Sequence, residues 1–333
     1  MSLSKQGQAL EKVPAKRLGP ETLGGRTRGK VGGCYACDMR LVNTSGGAGL
    51  IVEEQVFDIS VLSGGRLPSE PMRLVADHWD ELDRLAREGS YYGGTPLAAV
   101  RLGPPVPRPT MIFSIVANFP PLERPVFPMV VGKSPSSISG PFDDIVLPDP
   151  SRLPLRQAWV IPEPELAVVI GRGGRQLPVD KALGAIAGFT NAQDITERAH
   201  EFGPAPSPWT WENLPAKTLG KSIDTFCPIG PAIVTLDEFA DPNNLLVRCW
   251  INEQLYFEHS TAGMLWSAAE LVSLLSAFMT LTPGTICLCG SGGTNDGTPV
   301  PFLAPGDVVR TEIEGIGTMI NHCATETAAT STT

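Results

Sequence analysis

Two glutamates separated by one residue, Glu163 and Glu165, open the apolar run ELAVVIG. In an extended strand, residues i and i+2 project from one face, so both carboxylates aim into the same space. Pro164 between them donates no backbone hydrogen bond, which suits a strand start or an edge. Two like charges so placed repel unless a cation lies between them. A hard divalent ion answers that need, and Mg²⁺ commonly takes a few carboxylates plus waters. A pair of exposed acids at a strand end fits the spacing as well. A third carboxylate, Asp194, closes GFTNAQD. Asp194-Ile195-Thr196-Glu197 also matches a helix capping box with Asp194 as N-cap, and one carboxylate oxygen could cap while the other binds metal. Arg198 would then fall one turn later, as an anchor for a substrate carboxylate or as a surface ion-pair partner.

Lys221 sits in GKSIDTFCPIGP, where its plain role is to pair with Asp224. Beside a metal-bound oxyanion, a lysine stabilises developing negative charge or moves a proton. Gly220-Lys221-Ser222 is not a phosphate loop, because that motif needs a glycine at position 215, which is proline. Gly290-Ser291-Gly292-Gly293-Thr294 either turns backbone N–H groups toward an anionic ligand or forms an ordinary turn.

These residues need strands to hold them. From Met39 the chain reads MRLVNT, GLIVEE and QVFDISVL, all strand-like, and then takes helical spacing in LVADHWDELDRLAREG. Pro104-Pro105-Val106-Pro107-Arg108-Pro109 is a stiff extended connector, where a boundary is expected between a small N-terminal domain (39–105) and a catalytic domain (106–325). Beyond it lie many short strands punctuated by Gly and Pro, with helices expected at 179–187 and 267–278. The fold class expected is mixed α/β, β-rich, with strongly rolled sheets. Residues 1–38 carry no clear period and read as an extension, and 326–333 as a flexible tail.

Composition narrows the classes. At 333 residues with 42% hydrophobic and 18% charged residues, the chain can bury a large core. A net charge of −9 argues against gripping a nucleic-acid backbone. No apolar run is long enough to span a membrane, and the first residues lack the apolar region of a signal peptide, so a cytoplasmic protein is expected. Seven cysteines, an odd and scattered number, do not form a disulfide framework. Cys34-x-x-Cys37 reads better as two ordinary thiols than as half a zinc site.

Taken together, PEPELAVVIGR (162–172), AGFTNAQDITER (187–198), GKSIDTFCPIGP (220–231), STAGMLWSAAELVSLLSAFMTLTPGT (260–285) and PFLAPGDVVRTEIEGIGTMIN (301–321) resemble the fumarylacetoacetate hydrolase superfamily. KSPSSISGPFDDIVLP (133–148) is similar to its substrate loop, which implicates Lys133, Ser136 and Ser137 in substrate binding. The resemblance implies a mixed β-sandwich roll and a homodimer. It implies Glu163, Glu165 and Asp194 as ligands of Mg²⁺ (or Mn²⁺ or Ca²⁺), Lys221 and Arg198 in catalysis, and Gly290-Ser291 in place of a Gly-Thr pair. It also implies a small oxo-acid or dicarbonyl substrate that chelates the metal and forms an enolate, nominally for C–C bond hydrolysis. One departure stands out. Hydrolytic members carry a histidine on a lid, whereas the equivalent stretch here, Val116–Pro125, has none and offers only Glu123 as a base. That departure speaks for a non-hydrolytic relative, a decarboxylase, tautomerase or dehydratase, as the close alternative to the hydrolysis that the resemblance to the family puts first. A ligand-binding protein without turnover would have no chemical need for the retained acids and lysine.

Overall fold

Alternation of apolar side chains along the strands builds two cores on the two faces of one large sheet. In the computed structural model, residues 39–153, 156–199, 214–295 and 297–326 are described. The expected extension 1–38, with Cys34 and Cys37, and most of the expected tail lie outside them. The N-terminal part contributes β1 (Arg40–Thr44), β2 (Gly47–Val52) and β3 (Gln55–Asp58), then helices α1 (Pro71–Asp77) and α2 (Trp79–Glu88). Next come β4 (Ile112–Val116), β5 (Met129–Lys133), β6 (Ile145–Leu147), β7 (Pro164–Ile170), β8 (Ile186–Gln193), α3 (Leu214–Lys221) and β9 (Cys227–Val234). The chain continues through the hairpin β10 (Leu246–Ile251) and β11 (Gln254–Ser260), helix α4 (Ala268–Phe278), β12 (Ile286–Leu288), β13 (Val308–Ile313) and β14 (Gly317–Thr325).

The large sheet runs β3-β2-β1-β9-β8-β7-β12-β4-β5, and a smaller one runs β11-β10-β13-β14-β6. β7 is the pivot. Leu166, Val168 and Ile170 enter one core with Leu271, Val272 and Leu275 of α4. Ala167 and Val169 enter the other, with Leu41, Leu74 and Leu82. A strand covered on both faces reads as a continuous apolar run, and that is why ELAVVIG carries no polar residue after its glutamate. Pro164 begins this central strand, opposite Gln193 of β8, rather than lying at a sheet edge.

The elements differ from expectation in several places, among them QVFDISVL, whose strand ends at Asp58 and gives way to a helical turn at Ile59–Leu62. The proline-rich connector does not separate two sheets, because β1 pairs with β9 (Leu41 opposite Ile233), so the N-terminal strands extend the catalytic sheet. The helical stretch at 74–89 breaks at His78, which ends α1 and precedes α2. The helix expected at 179–187 shrinks to Val179–Ala182 and a single 3₁₀ turn, Leu183–Ala185, since Ile186 and Ala187 are drawn into β8. The helix expected at 267–278 forms with a full capping box, Ser267 accepting from Glu270 N–H and Glu270 from Ser267 N–H.

Buried amides tie the smaller sheet to β8. Asn191 Nδ2 donates to the carbonyls of Thr311 (3.1 Å) and Gly317 (3.3 Å), and Gln193 Nε2 donates to Thr311 Oγ1. Asn191→Ala removes both of these bonds from a dry seam and should lower the unfolding free energy by about 2 kcal/mol in a urea titration. An unchanged midpoint would show that the seam does not depend on this side chain.

Candidate active site

Five neighbouring strands of the large sheet bring the reactive side chains to one place. β8 delivers Asp194 at its end, β7 delivers Glu163 and Glu165 at its start, β12 leads into Gly290, β4 carries Ser114 and β5 ends on Lys133. Glu165 shares its strand face with Ala167 and Val169, and Ser114 shares its face with Ile112, so the site caps the second core rather than the first. The carboxylates of Glu163, Glu165 and Asp194 each offer an oxygen, and these oxygens lie within 4.8 Å of one another.

The Asp194 side chain is fully inaccessible, as is that of Lys133. Lys133 Nζ donates to Asp194 Oδ1 at 2.5 Å, and also to the carbonyls of Phe226 (3.0 Å) and Ile195 (3.4 Å). Asp194 Oδ2 accepts from Ser114 Oγ and from Lys221 Nζ, each at 2.5 Å. Lys221 Nζ reaches Glu163 Oε2 (2.7 Å) and Thr196 Oγ1 (2.8 Å) as well, and Thr196 Oγ1 in turn donates to Glu163 Oε2 at 2.8 Å. Glu163 is half-buried and is the outermost of the three acids.

Burial pushes the Asp194 carboxyl up, but the ammonium of Lys133 and then that of Lys221 outweigh it and hold the group at about 2. Burial lowers Lys221, yet Asp194, Glu163 and Glu165 raise it well past its ordinary value, so it stays an ammonium. Glu165 goes the other way. Burial and the nearby Asp194 charge raise it well above the carboxylate range, against the opposing pull of Lys221 and the Gly290 N–H. Three acids therefore face two ammonium groups in a dry site, and the least compensated of them is Glu165. A divalent cation with a preference for oxygen ligands fits this donor set.

Gly290 N–H donates to Glu165 Oε2 at 2.5 Å. Its φ of +94° and the 2.7 Å from a notional Cβ to Asn118 Cβ make glycine obligatory at this position. Asn118 seals the other side, donating to the carbonyls of Cys289 (2.7 Å) and Trp266 (3.0 Å) and accepting from Trp266 N–H (2.8 Å).

Some expected residues stand elsewhere. Asp194 is not a helix cap, because Thr196–Glu197 is extended and pairs with Val160–Ile161; its backbone N–H donates to Glu163 O. Arg198 follows that bridge directly, half-buried, with its backbone N–H donating to Trp159 O, rather than lying one turn into a helix begun at Asp194. Lys221 pairs with Glu163 and Asp194 rather than with Asp224. Lys133, expected to touch substrate, has its ammonium enclosed by Asp194 and two carbonyls. Ser137 is buried and donates to Ser134 O, while Ser136 is exposed and shares a hydrogen bond with Ser134 Oγ, so both order their own turn. Glu123 is exposed on the lid, and among the described residues no hydrogen bond joins it to the cluster. Ser291 is half-buried beside Gly290. Ser114, Thr196 and Asn118 were missed. Ser114 had a signal, a lone hydroxyl inside the apolar strand IFSIV.

The lid lies against α4. Arg124 pairs with Glu270 at 2.8 Å and sits 4.0 Å over the Trp266 ring, and Phe127 meets Phe278 edge-on at 5.5 Å.

Residues 113–324 match the family model described as fumarylacetoacetate (FAA) hydrolase C-terminal. Over 234 residues, 68% of this chain and 70% of the relative, the sequence is 38% identical to a Bos taurus protein named oxaloacetate tautomerase FAHD2B, mitochondrial. The solved structure of maleylpyruvate hydrolase from Sphingobium sp. SYK-6, in complex with manganese(II) and pyruvate, superposes with a TM-score of 0.69 at 27% identity, over 87% of this chain and all of that one. A 5-carboxymethyl-2-hydroxymuconate delta-isomerase from Mycobacterium smegmatis superposes with a TM-score of 0.65 at 26% identity, over 86% of this chain and all of that one. Among the described residues, no helix is long and apolar enough to cross a membrane.

Lys133→Met tests the placement of that ammonium. Removing one partner of a buried ion pair costs about 3–5 kcal/mol, so the unfolding midpoint should fall sharply. A raised KM at unchanged stability would return Lys133 to the substrate. The Asp194 contribution to stability is complete above the ordinary aspartate range and disappears as pH falls toward about 2, where the carboxyl protonates in the folded state.

Proposed function

The chain belongs to the fumarylacetoacetate hydrolase family, and on that premise we propose that it interconverts the keto and enol forms of a small 2-oxo dicarboxylic acid of the oxaloacetate type. The observation that carries this reading is the lid. Residues 121–127 are exposed, they include no histidine, and Arg124 is committed to Glu270 and Trp266. Hydrolysis needs a base placed to activate water. Tautomerisation only moves a proton between the carbon beside the carbonyl and the carbonyl oxygen. The name of the bovine relative supports the same reaction.

Glu163, Glu165 and Asp194 would hold a divalent ion, Mg²⁺ or else Mn²⁺ or Ca²⁺, which when bound supplies a Lewis acid for the substrate oxygens. Lys221, fixed as an ammonium by Asp194 and Glu163, places positive charge beside the oxygen on which negative charge grows. Its protonated state suits it to donating a hydrogen bond rather than to abstracting a proton. Ser291 and Arg198 are assigned to the substrate carboxylates. Lys133 and Ser114 hold Asp194 in the orientation that the other groups need. The expected working form is a cytoplasmic homodimer.

C–C bond hydrolysis ranks second, on the likeness to maleylpyruvate hydrolase. The purified chain with Mn²⁺ should speed the decay of the enol absorbance of oxaloacetate. Pyruvate and a carboxylic acid released from an acylpyruvate, with no effect on the enol, would reverse the ranking. Asp194→Ala should weaken Mn²⁺ binding, followed by electron paramagnetic resonance, by at least about 100-fold, and abolish turnover. Unaltered Mn²⁺ affinity would remove Asp194 from the ligand set.

A further inference from the structure

His259, near the end of β11, has no part in the chemistry above, yet it touches the loop that serves it. Its Nε2 accepts a hydrogen bond from the Gly292 N–H at 3.3 Å. An accepting Nε2 carries no proton, so the single proton of the ring lies on Nδ1. Nδ1 is buried and has no hydrogen-bond partner among the described residues. Burial pushes the imidazole down to about 4, so the ring is neutral and Nε2 remains an acceptor at neutral pH.

The ring is wedged between two parts of the site. Phe119, directly after Asn118 at the root of the lid, meets it edge-on with centroids 4.9 Å apart. On the other side it lies against Gly292, where a Cβ would come within 2.7 Å of His259 Cγ. Gly292 is two residues from Gly290, whose N–H holds Glu165, and Ser291 lies between them. An aliphatic side chain could fill the same space without the cost of burying an unpaired N–H. What it could not do is accept from Gly292.

We infer that His259 is a positioning residue that locks the Gly290–Gly292 loop against the root of the lid, and so fixes both the Gly290 N–H on Glu165 and the backbone that carries Ser291. The consequence for substrate rests on the tautomerase reading; the consequence for the loop does not.

The test compares His259→Leu, which keeps bulk but not the acceptor, with His259→Gln, whose amide oxygen can take the place of Nε2. Hydrogen–deuterium exchange over the segment 288–295 is read on the full-length Mn²⁺-loaded protein, alongside KM and kcat for oxaloacetate. Loss of one net hydrogen bond corresponds to about tenfold. His259→Leu should therefore exchange about tenfold faster in this segment and raise KM more than it lowers kcat. His259→Gln should stay within about twofold of the parent. If His259→Leu does not fold, Gly292→Ala, which drives a methyl group into the ring, should give the same faster exchange and raised KM. Leu and Gln variants that exchange alike, whether both slow or both fast, overturn the assignment. A clear Leu–Gln difference in exchange with no turnover of oxaloacetate by any form upholds the loop assignment and sinks the tautomerase reading instead.

Discussion

Asp194 is sealed from water, and its charge persists there because two ammonium groups face it, one on each oxygen. A lone carboxylate at such a depth would take up a proton, since the cost of burying unpaired charge runs to several kcal/mol. Lys133 reaches it from β5 and Lys221 from the end of α3, so the aspartate pins two distant segments to the end of β8. Glu165 has weaker compensation, one backbone N–H at hydrogen-bonding distance and a more distant lysine field. The charge balance of the cluster is therefore unfinished within the chain, and it is unfinished on the side where Glu163 opens toward solvent. An oxygen-loving cation and an anionic substrate fit that opening.

The alternation of β7 accounts for how much of this could be read in advance. Glu163 and Glu165 were legible as a same-face pair because a strand has period two, and the apolar residues after them marked that strand. Asp194, the acid that closes GFTNAQD, was legible as a partner only by resemblance, since its local sequence speaks equally for a helix cap. That ambiguity is physical. A capping box rewards a helix only when the following residues are free to coil, and Thr196–Glu197 are instead taken by Val160–Ile161. Lys133 was placed on the substrate because a loop sequence cannot state depth. Its ammonium lies in the interior only because β5 ends under the loop at Phe226. Ser114 and Asn118 lie more than forty residues from the acids they serve or seal, and no local pattern ties them together.

The lid shows a related trade. The departure visible in sequence, the absence of a histidine between Val116 and Pro125, matches a segment anchored through Arg124 and Phe127 to α4 rather than one furnished with a base. An arginine stacked on tryptophan and paired with a glutamate that also completes a helix cap is a fastening with several partners. An isolated surface ion pair, by comparison, is commonly worth less than about 1 kcal/mol. The sequence connector of prolines, by contrast, suggested a division that the sheet does not respect.

That shared sheet has a consequence for how the molecule comes into being. β1 closes the end of β9, so a fragment starting at Ile112 would leave Ile233 and Val234 without the backbone partners Leu41 and Arg40, while Ile138–Ser139 still pairs with the start of the strand. Such an edge is a template for pairing with other chains. The contacts that cover it join residues nearly two hundred positions apart, and ladders of that span form slowly. During synthesis the first three strands can pair with one another, but the outer edge of β1 must wait until the ribosome has released β9.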